Sequence, residues 1–136
     1  MITDPIADFL TRIRNGYMGG LSEVHSPHSK MRESIAGILR KEGYIESFSV
    51  VDISDSHKEL VLKLSYNEQA GQIGGPKVKR IHRLSRPGQR LYVTHQSIPS
   101  PLRGMGTVIL STSHGVITGK EARKRGLGGE IICEVW

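Results

Sequence analysis

Apolar residues recur at helical spacing twice near the start of the chain. Ile6, Phe9, Leu10 and Ile13 fall on one face of a first helix. Asp4 is placed to cap it, Pro5 suits its first position, and Asn15-Gly16 is expected to stop it. A Gly19-Gly20 turn leads to an extended piece around residues 23–26. Ser29 then caps a second helix whose inner face is Met31, Ile35, Ile38 and Leu39, ended by Gly43. Residues 45–53 and 59–66 alternate apolar and polar positions, with the turn Ser54-Asp55-Ser56 between them, which predicts a hairpin.

The pattern changes at residues 71–76, Gly-Gln-Ile-Gly-Gly-Pro, where glycine and proline predict a linker without a regular element. Beyond it, Val78, Ile81 and Leu84 suggest an irregular strand or short turn. Ser85-Arg86-Pro87-Gly88 suits a type II turn. Residues 90–94, 105–110 and 130–135 read as strands, and Ile98-Pro99-Ser100-Pro101 as a rigid loop. Thr118 and Glu121 have capping-box spacing at the start of a short helix running to Arg125, with Gly126 and Gly128-Gly129 ending it. The expected class is α+β with two small domains. Residues 1–70 form an N-terminal α/β domain with two helices on a short sheet. Residues 71–76 are the linker, and residues 77–136 form a mainly β domain with one short helix.

Composition narrows the function classes. Hydrophobic residues are 37% and aromatics 5% of 136 residues, so the core is modest and aliphatic. No apolar run approaches the roughly 18–20 residues that cross a bilayer, and the first residues lack the basic-then-apolar order of a signal peptide. Cys133 is the only cysteine, which excludes an internal disulfide or a cysteine metal cluster and fits a reducing, cytoplasmic setting. In its alternating strand, Cys133 reads as a small core residue.

Charge is divided unevenly. Through Asn67 there are eight basic and nine acidic residues; from Glu68 onward there are eleven basic and four acidic. Lys77, Lys79, Arg80, Arg83, Arg86, Arg90 and Arg103 lie in a stretch without an acid. Such a block attracts polyanions, nucleic acid above all, against the plainer alternative of a solvated face.

Enzyme signatures are missing. There is no phosphate-binding P-loop, no dinucleotide fingerprint after Gly104-Met105-Gly106, and no Gly-x-Ser-x-Gly elbow. His114 is expected to point away from Ser113, as neighbours in an extended chain do, which argues against a catalytic serine. His25 and His28 flank Ser26-Pro27, which breaks any helix that would align their rings on a metal. No catalytic residue, metal, cofactor or small-molecule substrate is expected. Ser111, Thr112 and Ser113 are three hydroxyls in succession at the end of an apolar strand, and Gly115 lets the chain turn back. Hydroxyls donate and accept, so they can read base edges and ribose hydroxyls where lysine and arginine find only phosphate. Tyr92 beside Arg90 is placed to stack on an unpaired base, or else is a half-buried strand residue.

Thr3-Asp4-Pro5-Ile6-Ala7-Asp8, Thr11-Arg12-Ile13-Arg14-Asn15, Glu42-Gly43-Tyr44-Ile45, Ser85-Arg86-Pro87-Gly88 and Arg90-Leu91-Tyr92-Val93 occur in this order. So do residues 106–117, Glu121-Ala122-Arg123, and residues 128–136. Together, over the whole chain, these resemble the bacterial small-subunit ribosomal protein eight family. The resemblance implies a structural protein that binds the central domain of 16S rRNA and helps assemble the platform, beside small-subunit proteins five and twelve. It implies RNA contacts by Ser111, Thr112, Ser113, Gly115 and Tyr92, with Glu130 supporting the hydroxyl loop, and by Thr3, Arg14, Ser29 and Lys30 on a second rRNA segment. Arg86 and Arg90 are expected to add phosphate contacts. The chain departs from the family pattern at Gly16, where alanine is frequent, at His114, where lysine or arginine is common, and in the insert at residues 71–76. The alternatives are a nucleic-acid-processing enzyme using the same basic face and a translational repressor that binds messenger RNA.

Overall fold

A computed structural model describes residues 4–69 and 72–136. The chain divides into two units. One comprises residues 8–79. The other joins residues 4–7 to Arg80–Trp136.

Helix α1 (Pro5–Met18) begins as expected: Asp4 Oδ1 accepts from the Ile6 and Ala7 amides at 3.2 Å. It does not stop at Gly16 but runs one residue past Tyr17. Gly16 is buried against the strand that follows, and a Cβ there would lie 2.4 Å from Val24 Cγ1. The glycine serves close packing, not termination. Strand β1 (Glu23–Pro27) precedes α2 (Lys30–Lys41), which Ser29 caps through a 3.1 Å bond from the Arg32 amide. Gly43, at φ +83°, follows the last helical turn. The predicted hairpin is β2 (Ile45–Ser54) and β3 (His57–Leu64), giving an antiparallel sheet in the order β1-β3-β2. Phe9, Leu10, Ile13, Ile35, Leu39, Leu60 and Leu62 form the buried core of this region, whereas Met31 is only half-buried.

The expected linker contains regular structure. Strand β4 (Tyr66–Gln69) pairs with β5 (Gln72–Pro76), while Gly71 lies outside the described residues. Gly74 permits this pairing, since a Cβ there would sit 2.3 Å from the Asn67 carbonyl oxygen.

The second unit is built on β10 (Gly129–Val135). Along one edge β10 pairs first with β7 (Tyr92–Val93) and then with β6 (Ile81–Arg83). Along the other it pairs with β8 (Thr107–Thr112), which continues to β9 (Gly115–Thr118). Strand β7 is shorter than residues 90–94, and β8 lies two residues later than expected. Thr118 caps α3 (Gly119–Arg125), its hydroxyl accepting from the Glu121 amide at 3.1 Å. Gly126 (φ +69°) ends the helix. Gly128 and Gly129 act differently, by sparing space. A Cβ on Gly129 would lie 2.2 Å from the Ser111 carbonyl oxygen, and one on Gly128 2.5 Å from that of Val93. They let β10 enter between two neighbours. Ile98, Val108, Leu110, Ala122 and Ile131 pack as one cluster. Cys133 is fully buried, as expected of a core residue, and burial pushes its thiol up to about 12.

Candidate nucleic-acid interface

Antiparallel register decides which side chains stand together. Glu130 is opposite Tyr92 on one side and Ser111 on the other, and Ser111 is opposite Val116. Directly paired residues share a face, so Tyr92, Glu130 and Ser111 form a row across three strands. Leu110 and Ile131, one step along, turn the other way into the core. The row lies at the end of the sheet where β8 turns into β9.

Tyr92 is 70% exposed, so the half-buried alternative does not hold. An aromatic ring left in water on a sheet is free to stack. Ser111 and Thr112 are half-buried, while Ser113, His114 and Gly115 are exposed. Gly115 has φ +102°, a region closed to β-branched residues. The three hydroxyls are not equivalent. Thr112 Oγ1 donates to the Gly115 carbonyl at 2.8 Å and accepts from the His114 amide at 3.1 Å, so it shapes the turn. Ser113 Oγ lies 3.1 Å from His114 Nδ1. The expectation that His114 points away from Ser113 is therefore wrong: the pair sits in a turn, where the alternation of an extended strand does not apply.

Glu130 is held differently from the expected support of the hydroxyl loop. Its carboxylate accepts from Ser85 Oγ at 2.6 Å and from Arg90 Nη1 at 3.1 Å. It thus fixes the segment leading into Tyr92. That segment is closed by reciprocal Arg86–Gln89 backbone bonds of 2.9 and 3.1 Å around Pro87-Gly88. Gly88 does not take the positive φ of a type II turn. Ser85 is fully buried, and the ordinary turn pattern around it carries no local sign of its bond to Glu130.

The acid-free basic stretch acquires acids in three dimensions. Arg83 Nε donates to Asp4 at 3.2 Å and its Nη1 to the Ile132 carbonyl at 2.9 Å, with both charged side chains largely buried. Arg83 is a structural residue. Arg90 pairs with Glu130, while Arg86 is exposed at the base of the Pro87-Gly88 turn. In the other unit, Arg14 is exposed on α1, and Ser29 and Lys30 stand at the start of α2, the Ser29 hydroxyl already serving as a cap. Thr3 lies outside the described residues. Nearby, His25 bridges Glu23 at 2.9 Å and Glu59 at 2.7 Å, and His28 meets Glu33 at 2.7 Å. Among the described residues no cluster of histidine, cysteine and carboxylate side chains suits a metal, and no helix is long and apolar enough to cross a membrane.

Residues 4–136 match the family described as Ribosomal protein S8. The chain is 46% identical over 136 residues, covering all of both chains, to the small ribosomal subunit protein uS8 of Nitratidesulfovibrio vulgaris strain Miyazaki F. It is 46% identical over 135 residues to that of Opitutus terrae, covering 99% of this chain and all of the other. The protein of Persephonella marina is 44% identical over 138 residues, again across the full length of both. A match of this extent, on a chain whose β10 unites an exposed tyrosine with a hydroxyl turn, places the protein in the ribosomal protein S8 family.

Proposed function

We propose that the chain is a structural component of the small ribosomal subunit in the cytoplasm, not an enzyme, and that it binds the central domain of 16S rRNA through the C-terminal unit. The carrying observation is the row Tyr92–Glu130–Ser111 ending in the hydroxyl turn. Tyr92 offers a ring face to an unpaired base. Ser111 and Ser113 read base edges or ribose hydroxyls. Thr112 and Gly115 shape the turn that presents them. Arg86, and Arg90 where Glu130 leaves it free, meet phosphates. Arg14, Ser29, Lys30 and Thr3 contact a second rRNA segment, and small-subunit proteins five and twelve are the neighbours. Residues 8–79 and 80–136 serve as the two domains, with residues 4–7 joined to the second.

The test is binding of the purified chain to transcripts of separate 16S rRNA domains. Tight binding to the central domain alone is expected. Equal affinity for every domain contradicts the proposal.

A further inference from the structure

Tyr92 is exposed, so no packing holds its ring in place. Its position is set by the backbone around it, and β7 is only two residues long. Few bonds hold that backbone. Gly129 and Glu130 pair with β7, and the Leu91 carbonyl accepts from the Ile131 amide at 2.9 Å. The Leu91 amide donates to Ser85 Oγ at 3.1 Å. The same hydroxyl donates to Glu130 Oε2 at 2.6 Å. Ser85 is 0% exposed, and a buried hydroxyl is tolerated when its bonding capacity is met, as here. One oxygen thus ties both ends of the turn at residues 85–91 to each other and to β10. It also orients the carboxylate that holds Arg90.

We infer that Ser85 is a positioning residue for RNA recognition: through Leu91 and Glu130 it fixes where Tyr92 and Arg90 stand beside the hydroxyl turn. This rests on the proposed base-reading role of that face. Ser85 never touches RNA. Its contribution is that the ring and the guanidinium are already in place when RNA arrives, so binding does not have to order them.

A double-mutant cycle separates positioning from plain stability. Ser85→Ala, Tyr92→Ala and the double variant are compared for affinity to a 16S central-domain transcript and to random-sequence RNA of equal length, at one salt concentration, with urea unfolding measured alongside. Ser85→Ala is expected to lower the cognate-to-random ratio roughly two- to tenfold, the factor a hydrogen bond of this kind is worth. In the Tyr92→Ala background most of that loss disappears. An equal loss in both backgrounds, or a lower unfolding midpoint with the ratio unchanged, overturns the inference while leaving the site reading intact. Tyr92→Ala without effect on the ratio overturns the site reading and the inference with it. If Ser85→Ala does not fold, Glu130→Ala, which removes the acceptor of the Ser85 bond, takes its place. Lost charge then raises affinity for both RNAs, and the ratio is judged by the same criteria.

Discussion

Several polar side chains of the N-terminal unit are paired with one another, while three candidate contact residues of the C-terminal unit stand at the surface. In the first, His25 is held between Glu23 and Glu59, Arg12 pairs with Asp8 at 2.9 Å, and Lys63 lies 3.6 Å from Glu46. Tyr17 is buried, donates its hydroxyl to the Tyr44 carbonyl and accepts from the Ser65 amide at 3.0 Å; burial pushes its pKa up to about 12. In the second, Tyr92, Ser113 and Arg86 face solvent at one end of a sheet. A tyrosine with both ends satisfied locks a fold, whereas an exposed one on a two-residue strand offers a surface. The same residue type serves opposite ends according to what surrounds it.

The sharpest way to break this contrast is to damage each core. Leu62→Ala and Leu110→Ala, both at fully buried positions, should each cost about 2–5 kcal/mol in urea unfolding. RNA selectivity per folded molecule should survive Leu62→Ala and fall with Leu110→Ala, because Leu110 adjoins Ser111. Equal loss of selectivity would show that the N-terminal unit shares the reading.

Tyr92 comes next. Tyr92→Ala should cost about 1–3 kcal/mol of RNA binding, and Tyr92→Phe much less, because the ring face survives. Titration against the central-domain transcript measures both. A large loss for Tyr92→Phe would transfer the role from the ring to the hydroxyl.

How much of this was legible in the sequence depended on distance along the chain. Caps at Asp4, Ser29 and Thr118 were readable because each bonds within three residues. Its place beside Arg90 pointed to Tyr92 and the resemblance supplied Glu130, but the carboxylate's partner Ser85 is 45 positions away. Likewise the acid that neutralises Arg83 is 79 positions away, so a run that looked uniformly basic was not. Glycines were misread for the same reason. Gly16 and Gly129 look like breakers locally, yet each clears a neighbour, Val24 or Ser111, that only folding brings near.

Salt dependence separates the arginines. Arg86→Ala should flatten the slope of log affinity against log salt by about one unit, as for one lost phosphate contact. Arg90→Ala should flatten it by clearly less, because Glu130 already offsets that charge. Equal changes would mean that RNA pulls Arg90 away from the carboxylate.

The smallest effect belongs to the N-terminal unit. The carboxylates of Glu23, then Glu59, accept hydrogen bonds from the His25 ring and raise its pKa above 6.5. Its contribution to stability is therefore complete below about pH 6.5 and disappears as pH rises through the raised folded value. Because the side chain is half exposed, the change is small. Urea midpoints across pH 5–9 should show it in the parent chain and not in His25→Gln.

Ser113→Ala separates base reading by the hydroxyl turn from contact with the RNA backbone alone. Affinity for the 16S central-domain transcript and for random RNA of equal length is measured at one salt concentration. A cognate loss of about 0.5–1.5 kcal/mol is expected, with random-RNA affinity unchanged, since phosphate contacts persist. Equal losses on both RNAs would mean that the turn touches only backbone, and would contradict base reading there.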